Sequence, residues 1–110
     1  ISPLKIWQIF STADIAICTG GNTLFELACM GIPTLCIPSV IHEIKYAKKF
    51  KSQNFSLNLA LREKNMKQIK SAILNLISDI KLQKTMCISG QKIIDGKGLF
   101  RVTKEIINLL

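Results

Sequence analysis

The chain holds a single histidine, His42, and its four cysteines contain no Cys-x-x-Cys pair. Zinc sites need closely spaced ligands, so no metal is expected to organise the fold. No cofactor is expected either. Cys18, Cys29 and Cys36 fall inside apolar stretches and, with Cys87, are expected to be reduced residues of a cytosolic protein. No apolar run approaches the roughly 20 residues that cross a bilayer, and no basic segment leads into a signal-peptide core. The expected location is cytoplasmic, without a membrane span. No serine, cysteine or aspartate can be placed beside His42 from sequence, which leaves a self-contained catalytic triad unsupported. Repeats and low-complexity linkers are missing, and so is an initiator methionine. The chain is therefore expected to be part of a longer protein whose remainder lies on the N-terminal side.

Acidic residues are scarce: 7 Asp and Glu stand against 15 Lys and Arg, for a net charge of +8. Such an excess raises nucleic acid as a partner, and the placement of the charges argues against it. The densest group, Lys45, Lys48, Lys49 and Lys51, lacks the interleaved aromatics that stack on bases. It reads as a solvated helix face, and no nucleic-acid partner is expected. The surplus still suits an anionic ligand such as a nucleotide diphosphate.

What the chain does have is 48% hydrophobic residues in 110 and a mean hydropathy of +0.30, enough to build the core of one domain. Its best-defined stretch is residues 11–38. An apolar run at 15–18 fits a strand buried on both faces, Gly20 and Gly21 break it, and a second run at 34–37 fits a neighbouring parallel strand. Between them Leu24, Leu27 and Ala28 share one helix face. Thr23 with Glu26 three residues on has the form of a capping box, Gly31 supplies the stop, and Pro33 prevents continuation.

Upstream, Leu4, Trp7 and Ile9 outline a short helix ending near Ala13. Downstream, Ile44, Ala47 and Phe50 recur at helical spacing after His42. Phe55, Leu57 and Leu59 alternate with Ser56 and Asn58, as in a half-exposed strand at a sheet edge. Asn65 is placed to cap a helix with the stripe Ile69, Ala72, Leu76 and Ile77, ending at Asp79. Leu82, Met86, Ser89 and Ile93 outline another. The run Asp95-Gly96-Lys97-Gly98 breaks it, and a last helix carries Val102, Ile106 and Leu109. The alternation of strands and helices makes the class α/β, a small parallel sheet flanked by helices.

A strand running through Thr19, Gly20, Gly21 and Asn22 into a helix N-terminus is a physical anion site, because the first-turn N–H groups lack intrahelical partners and lie at the positive end of the dipole. The same turn is also the ordinary way to join a strand to a helix. Glu26 has two candidate roles: reaching back to the Thr23 N–H, or accepting hydrogen bonds from a ribose or sugar diol. His42 and Glu43 follow the second strand's C-terminal end, where open α/β sheets hold ligands, although such residues at a helix start are also ordinary surface groups.

The segments Ala13-Asp14-Ile15-Ala16-Ile17, Gly20-Gly21-Asn22-Thr23-Leu24-Phe25-Glu26-Leu27, Gly31-Ile32-Pro33-Thr34 and Asp95-Gly96-Lys97-Gly98 with Arg101-Val102 resemble the C-terminal domain of GT-B-fold nucleotide-sugar enzymes. The chain looks most like the UDP-sugar hydrolase of pseudaminic acid biosynthesis and its spore coat polysaccharide biosynthesis glycosyltransferase-like relatives. It is more distantly similar to the peptidoglycan N-acetylglucosaminyltransferase. The resemblance covers nearly the whole chain and implies a Rossmann-like parallel sheet, the C-terminal half of a GT-B fold.

It also implies that Gly20, Gly21, Asn22 and Thr23 face the diphosphate or the sugar and that Glu26 binds the ribose hydroxyls. His42 and Glu43 fall where relatives carry a polar pair near the sugar, with Glu43 in place of a glutamine. Residues 95–101 would support a last helix that packs towards an N-terminal domain, and the catalytic histidine of the hydrolase belongs to that other domain. The function implied is hydrolysis of a UDP-amino-sugar with release of UDP, by an enzyme of which this chain alone is inactive. Transfer to an acceptor and noncatalytic nucleotide-sugar binding are the alternatives.

Overall fold

The computed structural model describes residues 3–60 and 65–110. Three short strands, β1 (Ala16–Cys18), β2 (Thr34–Cys36) and β3 (Ser56–Asn58), pair in parallel in the order β1-β2-β3. Ala16 stands opposite Thr34, Cys18 opposite Cys36, and Cys36 opposite Asn58. Six helices surround them: α1 (Pro3–Thr12), α2 (Asn22–Met30), α3 (Ile41–Ser52), α4 (Met66–Ser78), α5 (Ile80–Ile93) and α6 (Gly98–Leu109). This is a Rossmann-like α/β arrangement, a parallel sheet flanked by helices. The side chain of Leu4, assigned above to the α1 pattern, lies outside the described residues.

Strand alternation sends successive side chains to opposite faces, and the two faces are covered by different helices. On one, Cys36 packs with Leu24, Leu27 and Ala28 of α2, Ala47 and Phe50 of α3, and Phe55. On the other, Leu35 packs with Leu76 of α4 and Met86 of α5, bordered by Ile15, Ile37, Leu57 and Leu59. Phe55, expected in register with Leu57 and Leu59, instead precedes β3 and joins the α2–α3 side. There its ring meets Phe50 edge to face at 5.7 Å. The polar residues of β3 are tied down locally: Ser56 Oγ donates to Asn58 Oδ1, and Asn58 Nδ2 donates to the Ala47 carbonyl at 2.7 Å.

Helix α2 ends as its sequence dictates. Gly31 takes φ +70°, a left-handed conformation that costs a glycine little. Its N–H donates to the Ala28 carbonyl while the Ile32 N–H reaches back to Leu27, which closes the helix. Helices α2 and α5 approach closely at Gly90, where a Cβ would lie 2.6 Å from the Phe55 ring and 2.8 Å from the Ala28 carbonyl oxygen. Asn65 caps α4 by accepting from the Gln68 N–H at 2.9 Å, and Asp79 both ends α4 and caps α5 through the Leu82 N–H.

Three expectations are corrected. The first strand is not buried on both faces: Ile17 is 51% exposed, because α4 packs over β2 and leaves the β1 end of its face uncovered among the described residues. On α4, Ile73 takes the inward position assigned to Ile77, which is exposed; the inward set 69, 72, 73 and 76 follows the helical repeat more closely. Finally, Thr23 does not cap α2. The helix starts two residues earlier, at Asn22, with Gly21 in extended conformation at the cap position and no side-chain cap bond.

Candidate functional site

Cys18 ends β1 pointing into the α2–α3 side, and the chain then turns through Thr19, Gly20 and Gly21 into α2. Gly20 has φ +107°, which few side-chain-bearing residues adopt. It is also the point of closest approach to β2 and α3, since a Cβ there would lie 3.1 Å from Cys36 Sγ and 3.5 Å from Glu43 Cβ. The turn is thus pressed onto its neighbours by the absence of a side chain. Among the described residues, the N–H groups of Gly21, Asn22 and Thr23 have no backbone partner, and the Leu24 N–H bonds to the Gly21 carbonyl at 3.0 Å. Open donors at a helix N-terminus are what an anion requires.

The displaced start of α2 frees two side chains. Thr23 lies in the first turn and is exposed, and Glu26 is half-buried one turn on. Among the described residues neither has a side-chain hydrogen bond. The capping-box reading of this pair is therefore replaced by two unengaged polar groups beside open donors.

Glu43 and His42, adjacent in sequence, separate in space. His42 is exposed on the first turn of α3. Glu43 is only 7% exposed, and its Oε1 accepts from the Ser39 N–H at 3.0 Å, the Ser39 hydroxyl at 2.7 Å and the Val40 N–H at 3.2 Å. Its Oε2 faces the Gly20-Gly21 turn, 3.6 Å from where a Gly21 Cβ would stand. The Ser39 hydroxyl and N–H, with lesser help from Thr19 and Val40, hold the Glu43 carboxyl below the usual carboxylate range. A charged residue in the first turn of a lysine-rich helix reads as a surface group. The overlooked signal is that it sits at the third helical position, where a glutamate reaches back to the capping N–H.

The cysteines are free thiols. Cys36 is fully buried beside Cys18, and its hydrogen bond with Cys18, reinforced by burial, pushes its thiol up. At the far end of the chain Asp95 accepts from the Lys97 N–H at 3.0 Å and from both terminal nitrogens of Arg101. The Arg101 hydrogen bond, more than any other influence, holds the Asp95 carboxyl down at about 2. The 95–101 segment thus braces the start of α6, as the resemblance implied. Among the described residues no cluster of three or more His, Cys, Asp or Glu could hold a metal, and no helix is long and apolar enough to cross a membrane.

A parallel sheet whose first strand opens through two glycines into a helix, which a third glycine stops before the second strand, is the arrangement of a known domain. Residues 4–96 match the Glycosyltransferase family 28 C-terminal domain, and the chain belongs to that family. Among curated proteins it is similar to the spore coat polysaccharide biosynthesis protein SpsG of Bacillus subtilis (strain 168), with 33% identity over 102 residues. That alignment takes in 92% of this chain and 30% of SpsG, so the chain spans under a third of that relative's length.

Proposed function

We propose that this chain is the nucleotide-binding part of an enzyme that cleaves the anomeric C–O bond of a UDP-amino-sugar and releases UDP. The observation that carries the reading is the Gly20-Gly21 turn, which opens α2 with N–H groups at Gly21, Asn22 and Thr23 that have no backbone partner among the described residues. In this reading Gly20, Gly21, Asn22 and Thr23 receive the diphosphate or the adjoining sugar. Glu26 accepts the ribose hydroxyls, a role its lack of a capping bond leaves open. At the start of α3, His42 is exposed on the sugar side of the site, and Glu43 reaches the site from behind the Gly20-Gly21 turn.

The chemistry asked of these residues is stabilisation of a leaving group. Water attacks the anomeric carbon, the bond from that carbon to the diphosphate oxygen breaks, and the electron pair departs with UDP. Charge then accumulates where the turn's N–H groups and the α2 dipole point, in a geometry already formed before reaction. The base that takes the water's proton is assigned to the N-terminal domain implied by the family resemblance. The bare apolar face of α6, with Val102 and Ile106 exposed, suits a helix that packs against that domain.

A second reading, transfer of the sugar to an acceptor, is favoured by the glycosyltransferase name of the matched family and by the polysaccharide-biosynthesis name of SpsG. The complete protein, incubated with UDP-N-acetylglucosamine as a probe UDP-amino-sugar, separates the readings. UDP release with water alone supports hydrolysis, and release only after adding an acceptor supports transfer. Saturable binding without release under either condition leaves a noncatalytic binding module.

A further inference from the structure

From the placement of Glu43 we infer that it is a positioning residue that couples the two loops of the site and makes the Gly20-Gly21 turn prefer a diphosphate diester over a free nucleoside diphosphate. The inference rests on the nucleotide-binding reading above. One carboxylate serves both loops. Through Oε1 it gathers Ser39 and the Val40 N–H at the β2–α3 connection, and its other oxygen stands against Gly21. Gly20 is wedged between Cys36 Sγ and the Cβ of Glu43 itself, so the turn that offers donors to the anion is seated on this side chain.

The same contact has an electrostatic consequence. Among the described residues the ion pair formed is Asp95 with Arg101, and no lysine or arginine pairs with Glu43. An unneutralised buried carboxylate therefore lies directly behind donors that attract anions. The open N–H groups and the α2 dipole favour a phosphate, and Glu43 penalises each further negative charge placed there. The terminal phosphate of UDP carries most of a second charge near neutral pH, whereas the same phosphate esterified in a UDP-sugar carries one. Glu43 thus tilts the site towards substrate and away from product, which speeds product release.

The test compares UDP with the methyl ester of its terminal phosphate, a diester without a sugar, by calorimetric titration of the complete protein. Across an effective dielectric of about 20, one added charge about 12 Å from the carboxylate corresponds to about a tenfold difference in affinity, and a closer one to more. The unchanged protein is expected to bind the ester about tenfold more tightly than UDP, and equal or weaker ester binding overturns the inference. Glu43→Gln keeps an oxygen for Ser39 and Val40 but removes the charge, and should bring the two ligands close to parity by tightening UDP. A preference that persists undiminished in Glu43→Gln contradicts the role assigned to its charge. Ser39→Ala loosens the loop but leaves the charge, so it should weaken both ligands together, and a change in their ratio would also contradict the inference. If the unchanged protein binds neither ligand, the nucleotide reading itself fails.

Discussion

Helices α2 and α6 carry the same sequence signal and meet opposite fates. Each presents an apolar stripe at helical spacing. In α2 that stripe, Leu24, Leu27 and Ala28, is buried against the sheet and the neighbouring α3 and Phe55. In α6 no residue is buried, and Leu99, Phe100, Val102, Ile106 and Ile107 all stand exposed. The comparison teaches that periodicity identifies a face that needs cover without saying what covers it. α2 is covered because β1 and β2 flank it in sequence and close a right-sized βαβ unit over it. Among the described residues, the side-chain hydrogen bonds that brace α6 against the preceding segment lie at its first turn, where Asp95 binds Arg101 and the Lys97 N–H.

Paired truncations give the largest expected contrast. Leu27→Ala, at a position 1% exposed, should cost about 3 kcal/mol by leaving a cavity in a packed core. Ile106→Ala, at 55% exposed, should change the stability of this chain by less than about 0.5 kcal/mol. Urea denaturation of the two variants reads the difference. Comparable losses would mean that α6 has cover within the chain, and would break the contrast.

A smaller effect follows from two carboxyls that the fold holds below their ordinary range. Asp95 is lowered from 3.8 to about 2, so it binds its proton less readily folded than unfolded. A depressed carboxyl contributes stability above its unfolded value and loses it as pH falls through the folded one. For Asp95 that window runs from 3.8 down to about 2. Glu43, also lowered, loses its contribution in the same direction. Thermal melts taken at decreasing pH should fall through this range. Asp95→Asn should flatten only the part belonging to the exposed 95–101 brace, while Glu43→Gln should flatten the part belonging to the Gly20-Gly21 turn and the β2–α3 loop. Identical profiles for both variants and the parent would remove the assignment.

Much of this was legible from local rules. The strand, glycine turn, helix and second strand, the Gly31 stop, the Asn65 cap and the break at 95–98 each depend on residues within a few positions of one another, and each is found. What escaped depends on distant packing. The apolar run at Ile15 to Cys18 looks the same whether or not a helix lies over Ile17. Gly90 is dictated by Phe55 and the Ala28 carbonyl, which only the fold brings to it. Within the candidate site, the position of the turn was readable because glycines and a following amphipathic helix announce it. The reach of Glu43 back to the Val40 N–H was signalled by its third helical position, but its burial against the Gly20-Gly21 turn was not, since only the fold brings that turn to it.

The central claim is that the Gly20-Gly21 turn holds the diphosphate of a nucleotide, and amide resonances report on it directly. Titrating UDP into the isotope-labelled protein should shift the N–H signals of Gly20, Gly21, Asn22 and Thr23 saturably and to a common dissociation constant. The amides of α6 should move far less. Saturable shifts located elsewhere, with the four turn amides unmoved, would contradict the account.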